Sequence, residues 1–148
     1  MQNWEPKSSW NENNAPVPFL PYDNTRPFVS ILDLYVRSLE FLNRYPAATI
    51  PVERINGAIL LISAGDDRMW PSQAMSNRVM ERLDANQFRF AHVHLTYADA
   101  GHGVASAPSG NATLKYPSNF GGSEEGNAKA RTDMWTKTLQ FLEQNLRH

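Results

Sequence analysis

Two carboxylates and one imidazole stand out by type and setting. Asp66 and Asp67 follow an apolar run and a small Ser-Ala-Gly turn in ILLISAGDDRMWPS, residues 59–72. Adjacent like charges repel, and burying a carboxylate is costly unless a partner meets it. Either both acids are solvated turn residues, or one is matched by a group elsewhere in the chain. His102 lies in YADAGHG, residues 97–103, five residues past Tyr97. A carboxylate that orients an imidazole fixes which ring nitrogen is protonated and leaves the other to take a proton.

For these residues to meet, the elements before them must run side by side. Ala58–Ile62 is an unalternating apolar run and reads as a fully buried strand. Residues 88–97, FRFAHVHLTY, alternate. Ala91, Val93, Leu95 and Tyr97 point one way and Phe90, His92, His94 and Thr96 the other, as in a strand near a sheet edge. Between them Ser72 caps a helix to about Ala85, with Met75, Val79, Met80 and Leu83 turned inward. Strands separated by a helix pair in parallel through a right-handed crossover. Working residues of open α/β sheets sit just beyond the carboxyl ends of the strands, where both the acid and the histidine lie.

The remaining elements frame that unit. Residues 1–29 hold five of the ten prolines and read as an extended arm, pinned by Trp4, Trp10, Phe19, Leu20 and Phe28. Ser30–Tyr45 reads as an amphipathic helix stopped by Pro46, with Ile31, Leu34, Tyr35, Leu39, Leu42 and Tyr45 on one face. A Gly/Ser/Pro/Asn-rich loop runs from Gly103 to about Gly126. A closing helix over Asn127–Leu146 is expected to bury Trp135, Thr138, Leu139, Leu142 and Leu146. Two strands are few for a parallel sheet, so the pattern looks like the end of a larger one.

Composition narrows the function classes. With 41% hydrophobic and 20% charged residues, the 148-residue chain reads as one globular domain at most. Its net charge of −1 gives a nucleic-acid partner no electrostatic support. The absence of cysteine excludes disulfides, thiolate metal sites and a Cys nucleophile within the chain. No apolar run approaches the roughly 20 residues a membrane helix needs. The first residues lack the basic and apolar regions of a signal peptide, so a cytoplasmic location is the expectation.

These residues also carry a resemblance. Asp67-x-x-Trp70-Pro71, a helix, a strand and Tyr97-x-x-Ala100-Gly101-His102 look like the last third of an α/β-hydrolase, where the triad runs nucleophile, acid, histidine. More narrowly, IPVERINGAILLISAGDDRMWPS, YADAGHG, FGGSEEGNAKARTDMW and TLQFLEQNL resemble the C-terminal domain of acyl-CoA thioester hydrolases and bile acid-CoA:amino acid N-acyltransferases. The resemblance spans residues 50–146. It implies an α/β fold and makes the whole chain a partial α/β-hydrolase domain: a proline-rich arm over 1–29, then an acid- and histidine-bearing part over 30–148. By position it implies that Asp67 is the catalytic acid and His102 the catalytic histidine. Asp66 falls on a position that is usually acidic but outside the triad. One departure is Ala64, where the family typically has glycine three residues before the acid, with Gly65 one place later.

The nucleophile is missing. No serine here has glycines two places to either side, as a nucleophile elbow requires. The resemblance places it upstream, together with an oxyanion donor. The implied substrate is an acyl-CoA or related thioester, with no cofactor and no metal. An acyl-CoA:amino acid N-acyltransferase and a dienelactone-hydrolase-like esterase share the chemistry. The contrasting expectation is a non-catalytic fragment or partner module that joins a missing N-terminal half or self-associates through its sheet edge. His92-x-His94 reads as exposed edge residues rather than a metal pair. Trp70 lines a substrate path or packs under the acid loop. Gly121-Gly122 is no phosphate cradle, because no strand precedes it.

Overall fold

The computed structural model describes residues 7–106 and 117–146. The chain divides into two compact units, residues 1–51 and 52–148.

In the first unit the expected extended arm contains a small antiparallel hairpin, β1 (Asn11–Glu12) and β2 (Ala15–Pro16). Asn13 and Asn14 make its turn at φ 50° and 64°, a left-handed pair that asparagine tolerates and that matches strand twist. Helix α1 (Ile31–Leu39) starts at Ser30, whose hydroxyl accepts from the Asp33 N–H at 3.0 Å. That cap stabilises the helix by about 1 kcal/mol. The α-helix ends six residues before the expected Tyr45. Its continuation tightens into short 3₁₀ turns over Leu42–Arg44 and Pro46–Ala48, since the residue before a proline is pushed out of the α region. Of the side chains expected to pin the arm, Phe19 and Leu20 are half-buried, Trp10 is 76% exposed and Phe28 49%, and Trp4 lies outside the described residues. The Tyr22 ring also packs edge-on against Tyr35 of α1, and polar contacts add to this. The buried Arg37 donates to the Asp23 carbonyl at 3.0 Å, and the Asp23 N–H donates to Ser38 Oγ at 2.9 Å. These bonds satisfy groups whose burial would otherwise be costly.

The second unit holds the α/β core. Strands β3 (Ile59–Ala64) and β4 (His92–Tyr97) pair in parallel, in step from Ile59↔His92 to Ala64↔Tyr97. Helix α2 (Ser72–Ala85) makes the crossover and packs on both strands, with Leu83 fully buried. Its chain direction reverses at Gln87, φ 50°, where the Phe88 N–H closes back on the Leu83 carbonyl at 3.0 Å. Helix α3 (Glu124–Leu146) contacts both strands as well. Ala64, Ala100, Val104 and Ala130 form the buried cluster between sheet and α3, flanked by Ile62 and Tyr97. This core lies at the carboxyl ends of the strands, beneath the loops that carry the acid and the histidine.

Several expectations need correction. Ser72 is the first helical residue rather than the cap; its hydroxyl lies 3.3 Å from the Ala64 N–H, which donates to it. Met75 is 41% exposed rather than turned inward. The Ile59–Ile62 run is half-buried rather than fully buried, and β3 has β4 as its one strand neighbour among the described residues. On β4 the alternation does not separate buried from exposed, since Val93 is exposed while His92 and His94 are half-buried. Helix α3 begins three residues before Asn127, and its buried face is Asn127, Ala130, Arg131 and Met134. Trp135, Leu139, Leu142 and Leu146 are exposed instead, because small Ala130 lets the helix approach Ala64 and Ala100 and turns the bulkier stripe away. Part of the expected 103–126 loop, residues 107–116, lies outside the described residues. The rest contains a 3₁₀ turn over Ser118–Phe120 and a bridge between Ala100 and Gly122.

Candidate active site

Because β3 and β4 run in step, their following loops leave the sheet at the same height. The acid loop begins at Gly65, whose N–H donates to the Tyr97 carbonyl at 2.9 Å; the Asp66 N–H donates to the Ala100 carbonyl at 3.0 Å. Gly65 stands so close to Ala98 that a Cβ there would contact its Cα at 2.8 Å. The glycine of this loop is therefore required by the neighbouring histidine loop.

Asp67 is buried, with its carboxylate turned to His102. Nδ1 of His102 lies 3.2 Å from Asp67 Oδ1 and 3.3 Å from Oδ2. Backbone N–H groups of Met69 and Trp70 donate to Oδ1 at 2.9 and 3.2 Å. A carboxylate accepts only, so Nδ1 must carry the proton. That leaves Nε2 as the basic ring nitrogen. The imidazole is held on two further sides: the edge-to-face Trp70 ring is centred 4.9 Å away, and the Phe120 ring 5.3 Å away. The two candidates named from the sequence are thus brought together. Trp70 packs against the histidine itself.

Asp66, read as an outlying acid or plain turn residue, is engaged more deeply than a solvated turn would require. Its carboxylate binds Arg68 through two bonds of 3.0 and 3.1 Å and accepts the Gly122 N–H at 2.8 Å. The Arg68 guanidinium, and after it the Gly122 N–H, hold this carboxyl below the usual carboxylate range. The Phe120 carbonyl accepts from both the His102 N–H, at 2.9 Å, and the Arg68 N–H, at 3.4 Å. The buried Asn127 accepts the Gly101 N–H at 2.8 Å. Reasoning from sequence missed Phe120, Gly122 and Asn127. The available signals were the motif FGGSEEGNAKARTDMW, quoted for its resemblance without a role for these residues, and its Gly121-Gly122 pair, both at positive φ, 79° and 72°.

The two strand histidines are not the exposed edge residues expected. His94 Nε2 lies 2.6 Å from the fully buried Ser63 Oγ, and burial pushes its pKa down. His92 bonds the Phe90 carbonyl and the Asp84 carboxylate, both at 2.9 Å, which raises its pKa. Among the described residues no three His, Asp or Glu side chains are placed to hold a metal ion. No described helix is long and apolar enough to cross a membrane.

A parallel strand pair with flanking helices, delivering an acid and a histidine from its carboxyl ends, defines the C-terminal portion of an α/β-hydrolase-like domain. The chain belongs to the family described as BAAT / acyl-CoA thioester hydrolase C terminal, whose model matches residues 8–148. Its curated relatives include human acyl-coenzyme A thioesterase 6, 26% identical over 80% of this chain and 29% of that protein. Mouse peroxisomal succinyl-coenzyme A thioesterase is 30% identical over 66% of this chain and 24% of its own length. Mouse acyl-coenzyme A thioesterase 3 is 27% identical over 78% and 28%. The chain therefore spans less than a third of the length of these relatives.

Proposed function

We propose that this chain is the acid- and histidine-bearing part of a serine-type α/β-hydrolase acting on acyl thioesters, with acyl-CoA as substrate class. The observation that carries this reading is the Asp67–His102 contact at 3.2 Å on loops after adjacent parallel strands. Asp67 fixes the Nδ1–H tautomer. Nε2 takes the proton of a nucleophile supplied from outside the chain, and Asp67 stabilises the imidazolium that forms. The same proton then goes to the departing thiol. Water attacking the acyl-enzyme makes the protein a hydrolase; an amine in its place would make it an acyltransferase. Residues 1–29 are an arm on the same partial domain, and the missing sheet neighbours come from an N-terminal half or a second copy. The names of the relatives support the substrate class, and one of them is called peroxisomal, so the cytoplasmic assignment is tested by imaging the tagged protein.

The chain alone lacks a nucleophile elbow and the oxyanion donor next to it. Positioning and oxyanion stabilisation supply most of the acceleration in such enzymes, several kcal/mol each. The purified 148-residue chain should therefore show no turnover of acyl-CoA or ester substrates above background. Turnover that disappears in His102→Ala would reveal a nucleophile within the chain and overturn this division of labour.

A further inference from the structure

We infer that Asp66 and Asn127 are positioning residues that hold His102 against Asp67 through the Phe120–Gly122 strap. The inference rests on the reading of Asp67 and His102 as acid and base. Three backbone segments converge behind this pair: the acid loop, the histidine loop and the strap. The strap's Phe120 carbonyl receives N–H groups from both loops, at His102 and at Arg68. Two side chains bind the backbone of the strap and of the histidine loop. Asp66 Oδ2 accepts the Gly122 N–H at 2.8 Å. Asn127, on the first turns of α3, accepts the Gly101 N–H at 2.8 Å and donates to the Gly121 carbonyl at 3.4 Å.

The fit leaves no slack. A Cβ on Gly121 would collide with the Asp66 carbonyl, and one on Gly122 with the Gly101 nitrogen and the Asn127 amide. The backbone of the strap thus lies between the residues beside the acid and beside the base. The part of Asp66 that matters is its bond to Gly122. The Asp66–Arg68 pair is largely solvent-exposed, 40% and 59% at the side chains, and exposed pairs contribute little. This separates two substitutions. Asp66→Asn keeps an oxygen for the Gly122 N–H and loses the charge; Asp66→Ala loses both.

The test reads the imidazole tautomer by ¹⁵N NMR of the histidine-labelled 148-residue chain above the titration range of histidine, with His102 assigned by its loss in His102→Gln. The wild type should show His102 predominantly as the Nδ1–H tautomer, and Asp67→Ala should abolish that preference. Asp66→Ala and Asn127→Ala should shift His102 toward the Nε2–H tautomer while the circular dichroism spectrum stays native. Asp66→Asn should keep the wild-type tautomer. Retention of Nδ1–H in folded Asp66→Ala and Asn127→Ala overturns the positioning role. If Asp66→Ala does not fold, Asn127→Ala decides alone, since alanine suits the helix. A wild type without the Nδ1–H preference would instead overturn the Asp67–His102 pairing itself.

Discussion

Asp67 presents both carboxylate oxygens to a single nitrogen of His102, at 3.2 and 3.3 Å, while two backbone N–H groups hold one of those oxygens from behind. The proton on Nδ1 therefore has an acceptor across the whole width of the carboxylate. In an enzyme completed by its nucleophile-bearing part, Asp67→Asn should lower kcat by up to ~10⁴-fold with KM little changed, since the carboxamide no longer enforces the tautomer. Asp66→Asn should cost far less. Steady-state kinetics of the two variants check this, and equal kcat values would remove Asp67 from the mechanism.

His92 and His94 should pull the pH dependence of stability in opposite directions. The folded pKa of His92 is raised, first by the Phe90 carbonyl and then by Asp84. Its contribution is full below the unfolded value of about 6.5 and is lost as pH rises through the higher folded value. His94 is depressed by burial. The unfolded chain then takes up a proton that the folded chain refuses, so stability falls as pH drops below about 6.5. Thermal melting against pH should lose the component of its decline above about 6.5 in His92→Gln and the component just below about 6.5 in His94→Gln.

Glu53 grips Arg82 on α2 through two bonds, that to Nη2 at 2.8 Å, and the Arg82 guanidinium draws the Glu53 pKa down to about 2. Stability from this pair is present above the ordinary glutamate value and lost as pH falls toward about 2. Acid titration of Glu53→Gln followed by circular dichroism should lack that component of the unfolding curve.

Leu83 is fully buried, whereas Leu139 is 51% exposed on the stripe expected to be internal. Leu83→Ala should cost about 2–5 kcal/mol of stability by leaving a cavity. Leu139→Ala should fall within about 0.5 kcal/mol. Denaturant midpoints of the two variants in the 148-residue chain measure the difference. A large loss at Leu139 would mean that its stripe is covered in solution.

What the sequence made legible was periodic or loop-bound. Apolar Ile59–Ile62 and alternating residues 88–97 placed both strands, and the loop positions of Asp67 and His102 followed from strand direction. The Asn13–Asn14 hairpin was missed because the proline count outweighed a two-residue turn signal. The buried face of α3 was misread because hydrophobicity favours Trp135 and Leu139, while close packing against Ala64 and Ala100 favours Ala130. The roles of Asp66 and Asn127 have no sequence period at all. Each depends on a backbone N–H more than twenty residues away, at Gly122 and Gly101.

The in-step pairing of β3 and β4 sets a tolerance on chain length. A parallel strand advances about 3.3 Å per residue. A one-residue slip exchanges the faces of β4, putting His94 where Leu95 lies. A two-residue slip keeps the faces but displaces one loop by about 6.6 Å, twice the Asp67–His102 separation of 3.2 Å. Insertions between Ala85 and His92 are harmless only while they leave Ala64 opposite Tyr97. Strand register, rather than the number of residues joining the strands, is the ruler that keeps the acid within reach of the imidazole.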